Sequence, residues 1–137
     1  MGCQVTEQLK RILVVDDDEG ACSAMSRILT REGYDVVVAA NGFEALNHLR
    51  NSSVDLIISD INMPEMNGMV FLRELKESHP GSNIIMITAY GEMETYMEAM
   101  NLGVFEYINK PVKIDELKKI ICKALNGSNL NGIGGVI

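Results

Sequence analysis

The segment RILVVDDDE, residues 11–19, joins an apolar, largely β-branched run to three consecutive aspartates. Its apolar part, Ile12–Val15, does not alternate with polar residues, which is typical of a parallel strand covered on both faces. Other runs have the same character and are expected to form strands; they are residues 36–40, 56–58 and 84–87, with a weaker run at 104–108. These runs predict five buried strands.

Segments with helical periodicity separate the runs. In each, apolar residues recur three or four positions apart, as on one face of an amphipathic helix; representative residues are Met25, Leu46, Leu72, Met97 and Leu117. Regular alternation of strands and helices is the signature of an α/β domain. We therefore expect a five-stranded parallel sheet with helices on both faces and the flavodoxin-like strand order 2-1-3-4-5.

Length and composition favour a single domain flanked by an N-terminal extension and a C-terminal tail. The chain has 137 residues, of which 47% are hydrophobic and 23% charged. We assign residues 1–10 to an N-terminal extension and 11–126 to the domain. Residues 127–137 contain four glycines and no helical pattern, so we predict a flexible tail there.

Charge and hydropathy exclude several classes of function. The net charge is −7, and Lys and Arg form no cluster, so direct nucleic-acid binding is not expected. The apolar runs are strand-sized, which predicts no membrane span. Residues 1–10 lack the apolar core of a secretory signal, and we therefore expect a cytoplasmic protein.

Polar residues gather at the carboxyl ends of the predicted strands. Asp16 and Asp17 follow the first run, Asp60 the third, Thr88 closes the fourth, and Lys110 follows the fifth. In a doubly wound sheet, ligands bind at this edge, where the strand order reverses. Carboxylates brought together there either hold a proton or bind a cation, and oxygen ligands of this kind suit Mg²⁺.

This set of groups is sufficient for phosphoryl transfer. A carboxylate beside Mg²⁺, a lysine and a hydroxyl can accept a phosphoryl group, because such transfer depends mainly on positioning and charge neutralisation. Each residue alone has an ordinary interpretation: an aspartate after a strand usually caps a turn or helix, and a threonine or lysine there usually has no chemical role. The combination at four strand ends is what indicates function.

Residues 11–126 resemble a response-regulator receiver domain. The resemblance lies in four blocks, in the order and at the separations usual in that family: ILVVDDDE, SDINMPEMNG, ITAYG and YINKP. It implies a two-component signalling protein that takes a phosphoryl group from a sensor histidine kinase on Asp60. It also implies that Asp17 ligates Mg²⁺ directly, that Asp16 acts largely through metal-bound water, and that the backbone carbonyl of Asn62 completes the metal shell.

The same resemblance implies a switch. Thr88 would donate its hydroxyl to a phosphoryl oxygen, and Lys110 would pair with the phosphoryl charge. A cis peptide bond before Pro111 is expected at this family position. On phosphorylation the threonine would move inward and Tyr107, the aromatic residue of the fifth strand, would rotate into the space left free.

The stretch from Thr88 to Pro111 further resembles receivers of enhancer-binding transcription activators, which normally continue into an ATPase module. The expected partners are therefore a sensor histidine kinase together with a downstream protein, a missing output domain or a second copy in a homodimer.

Three other functions compete with this interpretation. A phosphatase of the haloacid dehalogenase kind would carry an acidic residue where Asn62 stands, and a flavin or nucleotide carrier would not place DDDE in its phosphate loop. A phosphorylation-independent protein-binding module of the same fold is the remaining alternative. We accordingly predict a switch protein and not an enzyme.

Overall fold

The computed structural model describes residues 9–63, 66–89 and 93–134, with only the backbone described for 127–134. Within these residues, strands and helices alternate in the order β1 (Arg11–Val15), α1 (Glu19–Arg31), β2 (Asp35–Ala39), α2 (Gly42–Asn51), β3 (Leu56–Asp60), α3 (Gly68–Ser78), β4 (Ile84–Thr88), α4 (Met93–Asn101), β5 (Glu106–Asn109) and α5 (Ile114–Gly134).

The strands form one parallel sheet in the order β2-β1-β3-β4-β5. This confirms the predicted fold class and strand order. The order places β1 and β3 side by side, with Val15 opposite Ser59, and it places β4 beside β3, with Ile87 opposite Asp60. The carboxyl ends of these three strands consequently lie at one edge of the sheet.

The sheet has a hydrophobic core on each face. Because successive side chains of a strand point to opposite faces, Leu13 belongs to one core and Ile12 and Val14 to the other. The side chains of β3 and β4 are buried throughout, as expected for central strands covered on both sides. Helix α3 contributes Phe71 and other fully buried residues to the first core.

The fifth strand begins later than the sequence predicted. Val104 lies in the turn before β5, because α4 ends in a left-handed glycine cap at Gly103, whose φ is +92°. The amide of Val104 donates to the carbonyl of Ala99, and that of Gly103 to Met100. This pattern places an apolar residue directly after the glycine, against the end of the helix. Val104 is therefore buried in the loop that follows a helix cap and not within a strand.

Helix α5 also extends further than the sequence pattern indicated. The predicted domain ends at Asn126, whereas the helical backbone continues to Gly134. Propagation of an existing helix adds one hydrogen bond per residue, while each glycine costs only about 1 kcal/mol relative to alanine. The flexibility predicted for 127–137 stays a prediction, and residues 1–8 and 135–137 lie outside the described residues. Among the described residues, no helix combines the length and apolar character that crossing a membrane requires.

Candidate functional site

The carboxylates predicted to meet do lie together. One oxygen each from Asp16, Asp17 and Asp60 falls within 4.8 Å of the others. Asp16 and Asp17 follow β1 directly and Asp60 ends β3, so the pairing of these strands brings the side chains to one rim. Asp60 is the most buried of the three, with 8% of its surface exposed, whereas Asp17 is exposed. The arrangement is a shallow cluster of oxygen ligands open to solvent on one side.

A lysine ammonium contacts the innermost carboxylate. Lys110 Nζ lies 3.2 Å from Asp60 Oδ2, and this ion pair is half-exposed on the lysine side. Partial burial acts to lower the pKa of Lys110, but the hydrogen bond and charge of Asp60 outweigh it and raise that pKa. The ammonium therefore stays charged at neutral pH. The peptide bond between Lys110 and Pro111 is cis, as expected from the sequence.

The electrostatics of Asp16 show that burial and neighbouring carboxylates disfavour its ionised form. Burial is the largest cause that raises the pKa of the Asp16 carboxyl group, and the negative charges of Asp60 and Asp17 raise it further. The amide of Asp18, which donates to Asp16 Oδ1 at 3.0 Å, and the charge of Lys110 oppose this shift. A carboxylate with a raised pKa beside two others is destabilised when ionised, and a divalent cation would relieve that repulsion.

The third aspartate of the DDDE segment has a structural role. Asp18 is the N-cap of α1, and its side chain accepts hydrogen bonds from the amides of Gly20 and Ala21. It thereby satisfies two donors that the first turn of the helix leaves open. This outcome agrees with the helix-cap role that an aspartate after a strand usually has.

The remaining predicted site residues lie on β4, on β5 and in the segment that follows β3. Thr88 ends β4, is fully buried, and lies one position beyond the residue paired with Asp60. The amide of Asn62 donates to Asp60 Oδ1 at 3.1 Å, which places this backbone segment beside the acidic cluster. Tyr107 lies on β5 opposite Met86 and is half-buried against the first core. The catalytic, metal-ligating and switching roles of these residues stay predictions.

Sequence reasoning missed Gly68, the first residue of α3. A Cβ at this position would lie 2.5 Å from the carbonyl oxygen of Asp60 and 2.6 Å from Cα of Ile61. The amide of Gly68 also donates to the carbonyl of Ile61 at 2.7 Å. Only glycine therefore lets α3 begin against the strand end that carries Asp60. The available signal was the Asn-Gly pair that precedes the helical pattern, with Asn67 as N-cap.

Cys22 is a second residue that the sequence did not assign. Its thiol lies 3.3 Å from the carbonyl oxygen of Asp16 and donates to it. Burial, and next the negative charge of Asp16, raise the pKa of this thiol to about 11. Cys22 therefore stays protonated at neutral pH and supports the backbone of Asp16 without acting as a nucleophile.

A groove adjoins the acidic cluster on the side of α1. Its volume is about 490 Å³, and Asp16, Asp60 and Lys110 stand at its polar end. Apolar residues line the rest of the groove; they are Val14, Val15, Ala21, Met25, Ile58, Ile87, Pro111 and Val112. The buried Asp60 carboxylate is therefore reachable from solvent.

Comparison with known proteins decides the family. The family model described as "Response regulator receiver domain" matches residues 12–122. The chain belongs to the response regulator receiver domain family. This confirms the resemblance on which the sequence analysis relied, and it identifies the chain as a signalling module of two-component systems.

Relatives of this receiver domain include transcriptional regulators. This chain is 39% identical over 114 residues to the transcriptional regulatory protein ZraR of Escherichia coli K12. The aligned region covers 83% of this chain and 26% of ZraR. The chain is 42% identical over 117 residues to the transcriptional regulatory protein GlrR of the same organism, covering 85% of the chain and 26% of GlrR. The receiver domain thus spans about a quarter of the length of these relatives.

Solved structures agree with the fold. A response regulator receiver domain protein (CheY-like) from Methanospirillum hungatei JF-1 superposes with a TM-score of 0.86 at 35% identity. That comparison covers 90% of this chain and 99% of the solved one. The receiver fold therefore accounts for nearly the whole solved chain and for most of this chain.

Proposed function

We propose that this receiver domain accepts a phosphoryl group on Asp60. Phosphorylation then changes the packing of Thr88 on β4 and Tyr107 on β5. The main support for the proposal is the acidic cluster, in which one carboxylate oxygen each of Asp16, Asp17 and Asp60 lies within 4.8 Å of the others. The ammonium nitrogen of Lys110 lies 3.2 Å from Asp60 Oδ2. Asp60 is the carboxylate that is both paired with the lysine and bordered by the groove.

The donor set fits Mg²⁺. Oxygen ligands from two or three carboxylates, in a site open to solvent, leave room for the waters and phosphate oxygen that this ion keeps. The residues that would hold it are Asp16, Asp17 and Asp60, together with the backbone carbonyl of Asn62. When bound, Mg²⁺ would neutralise charge on the transferring phosphoryl group. The raised pKa of Asp16 supports this assignment, because it shows a carboxylate that gains from a nearby cation.

The chemical step transfers the phosphoryl group between two side chains. A carboxylate oxygen of Asp60 forms a bond to phosphorus while the P–N bond to the phosphohistidine of a sensor kinase breaks. The P–N bonding electrons stay on the departing imidazole nitrogen, which takes up a proton from solvent. Lys110 holds its ammonium beside the acceptor oxygen, and the Thr88 hydroxyl donates to a phosphoryl oxygen in the product.

The domain turns over no separate substrate in this proposal, so it acts as a switch and not as an enzyme. It acts in the cytoplasm, and its partners are a sensor histidine kinase on the input side and an output module on the other. That module is a downstream protein, a further domain or a second copy. The net charge of −7 argues against direct contact between residues 11–126 and nucleic acid.

Intact-mass measurement tests the proposal. After incubation with a small phosphodonor and Mg²⁺, we expect the mass of one added phosphoryl group. The addition should be absent in Asp60→Asn and after chelation of Mg²⁺. Asp55→Asn is the matched control, because Asp55 precedes the same strand at the opposite edge of the sheet and should leave phosphorylation unchanged. A folded protein that gains no mass would favour a phosphorylation-independent binding module, and steady turnover of a phosphate ester would favour an enzyme.

A further inference from the structure

Tyr96 of α4 contacts Tyr107 of β5 through an edge-to-face ring pair. The ring centroids are 5.3 Å apart and the ring planes meet at 89°. This geometry places the positive edge of one ring against the negative face of the other and is favourable beyond the burial of area. Tyr96 is 43% exposed, whereas the hydroxyl oxygen of Tyr107 is shielded from solvent. Tyr96 is therefore the outer ring of the pair and Tyr107 the inner one.

Among the described residues, α4 buries little of its own surface against the domain. Ala99 is the only fully buried residue of this helix as described. Glu98 forms an ion pair of 2.6 Å with Arg73 of α3, and both side chains are substantially exposed. Met93 and Met97 are 72% and 56% exposed, whereas Met100 is 39% exposed. The ring pair is therefore a principal contact between α4 and β5.

The inner ring lies on the same face of the sheet as the threonine of the site. Tyr107 is paired with Met86 on the neighbouring strand, and Thr88 follows Met86 by two residues. Side chains two positions apart along a strand share a face. Tyr107 and Ala99 pack with the same core cluster, which identifies this face as the one that α4 covers. Thr88, Tyr107 and the Tyr96 ring therefore follow one another across a single face.

We infer that Tyr96 is a positioning residue that holds Tyr107 in its inward packing and so sets the balance of the switch. The inference rests on the proposed function, because it concerns regulation of the same site. If a phosphoryl group on Asp60 favours the packing with Tyr107 inward, then any contact that stabilises this packing raises the apparent affinity for that group. An aromatic pair of this geometry is worth about a two- to tenfold change in such an equilibrium.

The test measures affinity for beryllium trifluoride with Mg²⁺, an unreactive stand-in for a phosphoryl group. In Tyr96→Ala we expect binding to weaken by about two- to tenfold. Tyr96→Phe keeps the ring and should restore wild-type affinity. Met97→Ala is the matched control, because Met97 is an exposed neighbour on the same helix and should change nothing. The NMR resonances of the Tyr107 ring should shift in Tyr96→Ala without any ligand, and should not shift in Met97→Ala.

Repeating the measurement in a Tyr107→Leu variant shows whether Tyr96 acts through Tyr107. In Tyr107→Leu, the additional change Tyr96→Ala should no longer alter the affinity. Tyr96→Leu, which keeps apolar bulk on the helix, carries the same prediction if Tyr96→Ala does not fold. Equal affinity of wild type and a folded Tyr96 variant without the ring, or an undiminished effect in Tyr107→Leu, would overturn the inference alone. A folded wild type that binds no beryllium trifluoride would overturn the proposed function and this inference with it.

Discussion

Replacement of Asp16 by asparagine should stabilise the metal-free protein and weaken its response to Mg²⁺. Two unit charges 4.8 Å apart repel by about 3.5 kcal/mol at an effective dielectric constant of 20. The Lys110 ammonium beside Asp60 offsets part of this repulsion. The new amide oxygen can still accept the hydrogen bond from the amide of Asp18. We therefore expect a net gain of about 1–2 kcal/mol in the free energy of unfolding, or about 3–10 °C in Tm.

Mg²⁺ should stabilise wild type more than it stabilises Asp16→Asn. A ligand present at 100 times its Kd stabilises the folded state by about 2.7 kcal/mol. Wild type should show this gain in full, whereas Asp16→Asn offers one carboxylate fewer and should gain less. Urea unfolding monitored by circular dichroism, with chelator and then with Mg²⁺, measures both effects. Asp18→Asn is the control, because asparagine caps a helix as well as aspartate does and should leave both curves unchanged.

The stability advantage of Asp16→Asn over wild type, measured without Mg²⁺, should increase with pH. The folded metal-free protein holds a proton on Asp16 more tightly than the unfolded chain does, because the pKa of Asp16 is raised in the folded state. Its ionisation therefore destabilises the fold at pH values above the raised pKa, and the penalty is lost as the pH falls through that pKa towards the usual value. The advantage of Asp16→Asn should shrink over the same range. A variant no more stable than wild type at neutral pH, or one equally stabilised by Mg²⁺, would refute the reasoning.

Substitutions at three further positions have expected outcomes of their own. Gly68→Ala should cost about 2–3 kcal/mol in urea unfolding, because its Cβ would meet the carbonyl of Asp60 at 2.5 Å, and an unchanged urea midpoint would contradict this. Asn67→Ala should cost about 1 kcal/mol in the same assay through loss of the α3 cap, whereas Asn67→Asp should be nearly neutral. Lys110→Gln should slow phosphorylation by a small donor about 10- to 100-fold, which is the worth of one charge-assisted hydrogen bond, while Mg²⁺ binding measured by calorimetry persists.

The fold and the acidic cluster could be predicted because their signals are local. Apolar β-branched runs identify buried strands, and the residues that follow each run necessarily lie at one edge of a parallel sheet. The sequence alone therefore predicts that Asp16, Asp17 and Asp60 lie together. The cis bond before Pro111 followed from the family resemblance and not from any property of the residues themselves.

Other features depend on tertiary contacts that no local pattern encodes. Val104 resembles a strand residue in sequence, but it precedes β5 and is buried in the first core. The need for glycine at position 68 arises from the close approach of α3 to the end of β3. The ring pair of Tyr96 and Tyr107 joins residues on different elements. Each of these becomes visible only when two elements are docked against one another.

The central claim is that Asp60 carries the phosphoryl group, and mapping of the modified residue tests it most directly. Borohydride reduction converts an aspartyl phosphate to homoserine, which peptide mass spectrometry can locate after digestion. Following treatment with a small phosphodonor and Mg²⁺, we predict homoserine at position 60. Homoserine at another aspartate, or phosphate retained on a serine, threonine or histidine with Asp60 unmodified, would contradict the account.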